Sequence, residues 1–218
     1  MTRATICLTG WLIAIVGSTA SGQAKPPEGW RWAIDPPAGA VDSILEFSQM
    51  PPGWHITTRH AASLFDPSLS GRGSYALETV QILFPGTSQS GYGLFVGGRN
   101  VGHPGDAEYL AFLIRRDGHA MIERRAGRTT TALLPWTAVT AIKQVAGEET
   151  ARNVLKVSVG RDSVTFEVNA SRVASLARES LPTDGQFGFR TGSDLNLHVT
   201  TLDFTTRLAP IPARRANH

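Results

Sequence analysis

Side chains that could carry acid–base chemistry are few in this chain of 218 residues, and they are spread out. Glu78, Glu108, Glu123, Glu167 and Asp203 fall in runs that read as strands, and Arg190 and His198 join them near the end. Two carboxylates can cleave a glycosidic bond when alternate strand positions, as in E-x-D-x-x-E, aim a nucleophile and a general acid into one groove. No glutamate here is followed two positions later by an aspartate, and Glu148 and Glu149 stand side by side in a loop, where adjacent side chains diverge. Serine and cysteine hydrolysis also lack their parts: there is no G-x-S-x-G elbow, and the only cysteine is Cys7. His55 and His60 are five apart, which on an extended strand puts them on opposite faces and not on one zinc ion. No D-x-D-x-D-G calcium loop occurs. The sequence predicts no metal and no cofactor, leaving open only Ca2+ held by scattered carbonyls and one or two aspartates.

The elements that must position these groups are strands. From Asn153 to Phe204 apolar residues alternate with polar ones: Leu155, Val157 and Val159, then Val164, Phe166 and Val168, then Phe187 and Phe189, then Leu195, Leu197 and Val199. This reads as a β-meander with one apolar face, whose polar parity lines up Lys156, Thr165, Glu167, Gln186, Arg190, Asn196 and His198. Earlier, GYGLFVGG, EYLAFLIRRDG, HAMIERRAG and RTTTALLPW are short runs closed by Gly, Asp-Gly or Pro, as in antiparallel hairpins. In GSYALETVQILFPG the apolar parity changes between Leu77 and Val80, which predicts a bulge near Thr79. Leu134 to Ala151 reads as a long loop, and Arg172 to Leu181 as a helical turn. Short strands are expected over 43–48, 54–57 and 62–65, the last ending at an Asp66-Pro67 turn. About a dozen strands predict an all-β, two-sheet jelly-roll sandwich.

Sugar hydroxyls suit the polar parity of such sheets, with Glu167, Arg190 and His198 as hydrogen-bonding candidates and Trp54, Tyr92 and Trp136 as flat platforms for a pyranose. Gly91, Gly93, Gly97 and Gly98 leave side chains off one face, which predicts a shallow cleft beside Phe95 and Arg99. The same glycines also suit a strongly bent sheet. Each polar residue alone is equally what a solvated sheet face would carry.

The pattern N-x-L-x-V-x-x-G-x-x-V-x-F-x-V-N-x-x-x-V followed by G-x-F-G-F-R resembles the C-terminal half of concanavalin A-like sandwich domains, in particular the laminin-G-like and 3-keto-disaccharide hydrolase families. Arg152-Asn153, Val168-Asn169-Ala170 and Gly185 to Phe189 stand where those families carry W-N, V-N-G and G-x-I-G-L; the Trp and the Gly after the second Asn are absent. GYGLFVGGRN resembles a further strand of the hydrolase family, so the likeness runs from about Leu45 to Phe204. The resemblance implies the sandwich fold. It also implies a second reading, an exported glycoside-cleaving enzyme whose base and acid act next to a ketone, with Glu78, Glu123, His198 and Arg190 as its candidates.

At the N-terminus, Arg3 precedes an apolar run and then small residues up to Ala24, as in a secretory signal peptide. About 20 apolar residues are needed to cross a bilayer, more than this run has, so no membrane span is expected after cleavage. Cys7 sits ahead of the apolar region, not behind it as in a lipoprotein. The expected organisation is a signal peptide over 1–24, an extended Pro/Trp-rich strap over 25–42 held by Trp30 and Trp32, a sandwich over 43–206 and a flexible tail over 207–218. A formal charge of +3 spread over scattered arginines does not point to nucleic acid. The functional expectation is a secreted or periplasmic, non-catalytic module that binds a poly- or oligosaccharide or adheres to an extracytoplasmic protein. The enzyme above and an envelope protein-interaction domain are the alternatives.

Overall fold

The computed structural model describes residues 26–35, 45–144 and 148–206, so the expected signal peptide and tail lie outside the described residues. Fourteen strands follow in order: β1 (Arg31–Ile34), β2 (Leu45–Gln49), β3 (Trp54–Thr58), β4 (Ala62–Gly71), β5 (Tyr75–Leu83), β6 (Tyr92–Arg99), β7 (Glu108–Ile114), β8 (His119–Ala126), β9 (Thr129–Ala138), β10 (Ala151–Val159), β11 (Ser163–Val168), β12 (Ser171–Ala177), β13 (Gly185–Thr191) and β14 (Leu195–Thr206). They form two seven-stranded antiparallel sheets, β1-β4-β13-β6-β7-β8-β9 and β12-β11-β10-β5-β14-β3-β2. The main core lies between them and includes Leu94, Phe112, Leu155, Phe166, Phe189 and Leu197, all buried. Alternation explains most strands directly: in β5, β10 and β11 every second residue is buried. β7 differs, since Tyr109 to Ile114 are all buried, and its unbroken apolar run follows from being covered on both faces.

The expected 153–204 meander holds only for its first hairpin. β10, β11 and β12 are consecutive neighbours, but β13 crosses to the first sheet and β14 returns to the second. Alternation tells which parity is apolar and not which sheet receives the strand, so Gln186 and Arg190 lie across the sandwich from Lys156, Thr165, Glu167, Asn196 and His198. The segment 172–181 holds β12, not a helical turn; Val173, Ala174 and Leu176 pack on the core from that edge strand. β4 runs through Asp66-Pro67 instead of ending there. Part of the expected strap is a sheet strand, because Arg31 to Ile34 pair with Phe65 to Ala62. Its tryptophans do pin it: Trp30 stacks on Phe189 at 5.5 Å and Trp32 on Phe47 at 5.7 Å.

No bulge interrupts β5. Its register with β10 is continuous, so Thr79 and Gln81 point inward and Val80 and Ile82 outward. Two hydrogen bonds make the inward polar pair tolerable: Thr79 Oγ1 donates to Thr201 O at 2.5 Å and Gln81 Nε2 to Gly93 O at 3.3 Å. The irregularity falls on β14, between Val199 and Thr201.

Asn153 and Asn169, the two asparagines of the family-like pattern, build a polar knot under the segment after β9. Asn153 is fully buried; its Oδ1 accepts from Lys143 N at 2.8 Å and its Nδ2 donates to Lys143 O at 3.0 Å. Asn169 Nδ2 donates to Ala141 O and Asn153 Oδ1, and its Oδ1 accepts from Val154 N at 2.9 Å. Asn169 and Ala170 turn the β11–β12 hairpin with φ of 49° and 64°, the left-handed pair that a two-residue turn requires.

Candidate functional site

The outer face of the first sheet is unlike a solvated face. Cross-strand register puts Phe65, Gly188, Phe95, Ala111 and Glu123 in one row across β4, β13, β6, β7 and β8. The neighbouring row is Ser63, Arg190, Gly93, Leu113 and Met121. Phe65, Phe95, Val101, Tyr109 and Leu113 form a second buried apolar cluster on this side. Gly91 and Gly93 face outward as the alternation requires, yet they do not leave an open cleft. A Cβ on Gly91 would meet the Trp136 ring at 2.7 Å, and one on Gly93 would meet Phe112 O at 2.1 Å. They permit close approach of β6 to its neighbours.

Over this face runs a charged bridge. Asp35, whose amide continues the β1–β4 ladder to Ala61 O at 2.8 Å, accepts from Arg125 Nη1 of β8 at 2.6 Å and from Arg190 Nη2 of β13. β13 and β8 are three sheet positions apart, about 14 Å at roughly 4.8 Å per step. Both arginines must therefore reach toward each other across β6 and β7, where small residues, Gly93 and Ala111, leave room. Arg125 is fixed further by Pro104 O at 2.7 Å, Gly127 O at 2.9 Å and the Tyr109 hydroxyl at 3.3 Å. Arg190 Nη1 is buried with no partner among the described residues.

Glu123 stands beside this bridge. Burial pushes its carboxyl above the ordinary value of 4.5, Arg190 and Arg125 pull it back, and the Asp35 carboxylate adds to the rise. The folded chain thus holds the Glu123 proton more tightly than the unfolded chain. Its contribution to stability is fully present below the ordinary value and is lost as pH rises through the folded value. Glu123→Gln is accordingly expected to melt higher than wild type at pH 7 and level with it near pH 4. A melting difference that stays constant across that range would refute this account.

A groove of about 860 Å³ opens at one end of the same face, between the β1 and β4 side and the turn that follows β6. Its floor includes Phe65, Val101 and Gly98, and Arg99 and Gln186 stand on its rim. A smaller depression of about 590 Å³ shares Arg99 and is lined by Arg161, Asp162, Arg178, Glu179 and Asp184. Here the chain leaves regular pairing, because the β6–β7 register shifts between Val96 and Arg99 and Gly97 takes φ of 67°.

No family model and no curated protein matches the sequence. Solved structures do match. A carbohydrate-binding module of family CBM66 from Bacillus subtilis superposes with a TM-score of 0.62 at 11% identity, over 82% of this chain and 96% of that one. A protein of unknown function with a galectin-like fold, also from Bacillus subtilis, gives 0.59 at 12% identity over 81% and 88%. A GH16 protein from a mixed-linkage glucan locus of Bacteroides ovatus gives 0.56 at 6% identity over 84% and 97%. The fold is a concanavalin A-like, glucanase-type β-sandwich. Identities this low speak for the fold alone.

On this concanavalin A-like sandwich the residues singled out from sequence separate into distinct places. Glu123 and Arg190 come together on the first sheet, joined by Asp35, Arg125 and Tyr109, which sequence reasoning did not pick out. Glu78 and His198 lie on the outer face of the second sheet, so the four-residue acid–base set does not assemble. Glu78 pairs with Lys156 at 3.2 Å, across from which Glu167 lies in register. His198 is buried beneath Pro52, whose carbonyl is 2.9 Å from its Nε2. His55 faces His198 in register, not His60; desolvation by burial, then the neighbouring His198, lowers the His55 pKa. Among the described residues no three His, Cys, Asp or Glu gather as a metal site, and no helix is long and apolar enough to cross a membrane.

The aromatic platforms fare unevenly. Tyr92 cannot be one: it is 1% exposed in the main core, where burial raises its pKa to about 12. Its inward parity follows from the same alternation that turns Gly91 and Gly93 outward. Phe95 is also fully buried, as part of the outer cluster. Trp54 leans on Trp30 at 5.5 Å beside a pocket of about 320 Å³. Trp136 remains half-buried over Gly91, with the Arg115 guanidinium 4.7 Å from its ring. Arg99, by contrast, is exposed and lines the groove. The one sequence signal that could have exposed the charged bridge is the close spacing of Glu123 and Arg125, an outward-facing acid and base on a strand whose neighbour β7 is apolar from Tyr109 to Ile114.

Proposed function

We propose that this protein is an exported, non-catalytic carbohydrate-binding module whose ligand lies in the groove at the end of the first sheet. One observation carries the reading: a groove of about 860 Å³, within the range of about 300–1,000 Å³ common for ligand clefts, is lined by residues that present hydroxyl, amide and guanidinium groups, Ser70, Asn100, Gln186 and Arg99 among them. These are donors and acceptors for vicinal hydroxyls. Neighbours of the same fold include a protein named as a carbohydrate-binding module. Secretion is supported by the N-terminal apolar run with its basic start and small-residue end. Affinity electrophoresis of the purified protein in gels containing different polysaccharides should retard it on at least one of them. Unretarded migration on every polysaccharide, with and without Ca2+, would remove the reading.

A second reading, glycoside cleavage, is favoured by the Glu123 carboxyl, raised by burial and flanked by two arginines, since a carboxylic acid held above its ordinary range is suited to general acid work. Release of shorter sugars from a polysaccharide the protein binds, abolished in Glu123→Gln, would replace the non-catalytic reading with this one.

A further inference from the structure

The walls of the large groove carry positive charge on both sides and no negative charge. Arg31 and Arg72 come from the β1 and β4 side, Arg99 from the end of β6 with the His103 imidazole of the β6–β7 turn on the same wall, and no lining residue is a carboxylate. Arg31, Arg72 and His103 are exposed, and among the described residues none has a carboxylate within ion-pair distance. Arg99 meets Glu108 only at 3.6 Å and keeps 63% of its side chain in solvent. Asp66, the carboxylate whose charge is felt with Arg31, is already held by the Ser68 amide at 2.8 Å and hydroxyl at 2.7 Å. Elsewhere on the sandwich Arg115, Arg124, Arg125, Arg178 and Arg190 each hold a carboxylate. The adjoining depression is balanced too, with Asp162, Glu179 and Asp184 beside Arg161 and Arg178.

Like charges facing one another across a groove repel, and that arrangement is relieved when an anion enters between them. We propose that the groove binds an acidic polysaccharide, with Arg31 and Arg72 on one wall and Arg99 on the other each meeting carboxylate or sulfate groups along the chain, and with His103 as a hydrogen-bonding neighbour of Arg99. The inference rests on the carbohydrate reading above and names the ligand's chemical class. Guanidinium groups match both anions, because a planar fork of N–H donors pairs with two oxygens at once. Between the charges, Gln186 and Asn100 reach sugar hydroxyls, and Gly98 and Gly102 keep the floor low; a Cβ on Gly102 would meet only the Phe65 ring tip, at 3.8 Å. Single-stranded nucleic acid is the other polyanion of this shape, but it is held by bases stacked on exposed aromatics. The groove offers none: Phe65 is 3% exposed and the Trp32 ring is turned to stack on Phe47.

Binding to polygalacturonate, chondroitin sulfate, a neutral mixed-linkage glucan and a single-stranded oligonucleotide, measured at low and high salt, tests this. At least one acidic polysaccharide is expected to bind tenfold or more tighter than the glucan and the oligonucleotide, and to weaken at least tenfold as salt screens the charges. Preference for polygalacturonate identifies the carboxylate as the recognised group, preference for chondroitin sulfate the sulfate ester. The double variant Arg31→Gln/Arg72→Gln should lose tenfold or more of that affinity with an unchanged melting temperature, both residues being exposed. Arg161→Gln, in the adjoining depression, should bind within twofold of wild type. Equal binding of glucan and acidic chains, unaffected by the double variant, overturns the charge inference and leaves the carbohydrate reading standing. Oligonucleotide binding as tight as the acidic chains overturns it as unspecific charge attraction, and binding to nothing overturns both.

Discussion

Asp35→Ala should destabilise the fold by about 3 kcal/mol, more than removing either arginine of the pair it joins. The carboxylate is the only anion hydrogen-bonded to Arg125 and Arg190 among the described residues, and those side chains are 12% and 11% exposed. Without it two nearly buried cations face each other, with only Glu123 nearby. Breaking a buried ion pair by removing one partner costs about 3–5 kcal/mol because the charge left behind stays desolvated. The 22% exposure of Asp35 places the value at the lower end. Denaturant unfolding of Asp35→Ala against wild type reads this directly, and the triple variant Asp35→Ala/Arg125→Met/Arg190→Met should recover much of the loss, since no unpaired charge remains. A single-variant loss under 1 kcal/mol would mean that solvent, and not Asp35, neutralises the arginines. The result bears on the binding reading as well: if Asp35 is chiefly a structural bridge, its loss should lower stability while leaving groove affinity within a few-fold.

Gly93→Ala should be at least as damaging, with a cost of about 3 kcal/mol or more and poor recovery of folded protein. The added Cβ would lie 2.1 Å from Phe112 O, a main-chain atom of the adjacent strand that no side-chain rotation can move. β6 and β7 would have to separate in the middle of a sheet covered on both faces, where inserting even one methyl forces backbone shifts. Gly73→Ala is the natural contrast. Nothing lies within 4 Å of its would-be Cβ, so it should lose only the modest amount due to its φ of 67°. Thermal melting of the two variants side by side separates steric approach from backbone conformation. Equal melting temperatures would show that the strands at Gly93 have slack that the close contact conceals.

These two positions also mark where the sequence could be read and where it could not. Gly93 stands out in the sequence with Gly91 on the outward parity of one strand, and the structure uses both glycines for close packing and not for an open cleft. Gly93 allows close strand approach and Gly91 makes room for the Trp136 ring, and the groove lies beside Gly98 and Arg99. Asp35 was not visible, since a lone aspartate after a short Pro/Trp-rich segment looks like loop solvation until β1 is seen to pair with β4. Tyr92 was misjudged as a platform for a simple reason: its parity already assigned it to the core.

From the sequence alone came the all-β sandwich, the parity of β6, β10, β11, β13 and β14, and the presence, though not the role, of the asparagine pair that ties the β10–β11 hairpin to the segment before it. The strand parities are local, set by the period-2 alternation of an extended chain. Which strands share a sheet was decided by tertiary structure, because alternation is the same whether a strand joins one layer or the other. β13 and β14 are adjacent in sequence yet lie in opposite sheets, and that single crossing put Arg190 with Glu123 and Asp35 while leaving His198 and Glu78 on the far side. The cationic groove has the same origin: Arg31, Arg72 and Arg99 are distant in the chain, and only the packing of β1, β4 and the end of β6 at one end of one sheet brings their charges to a common space.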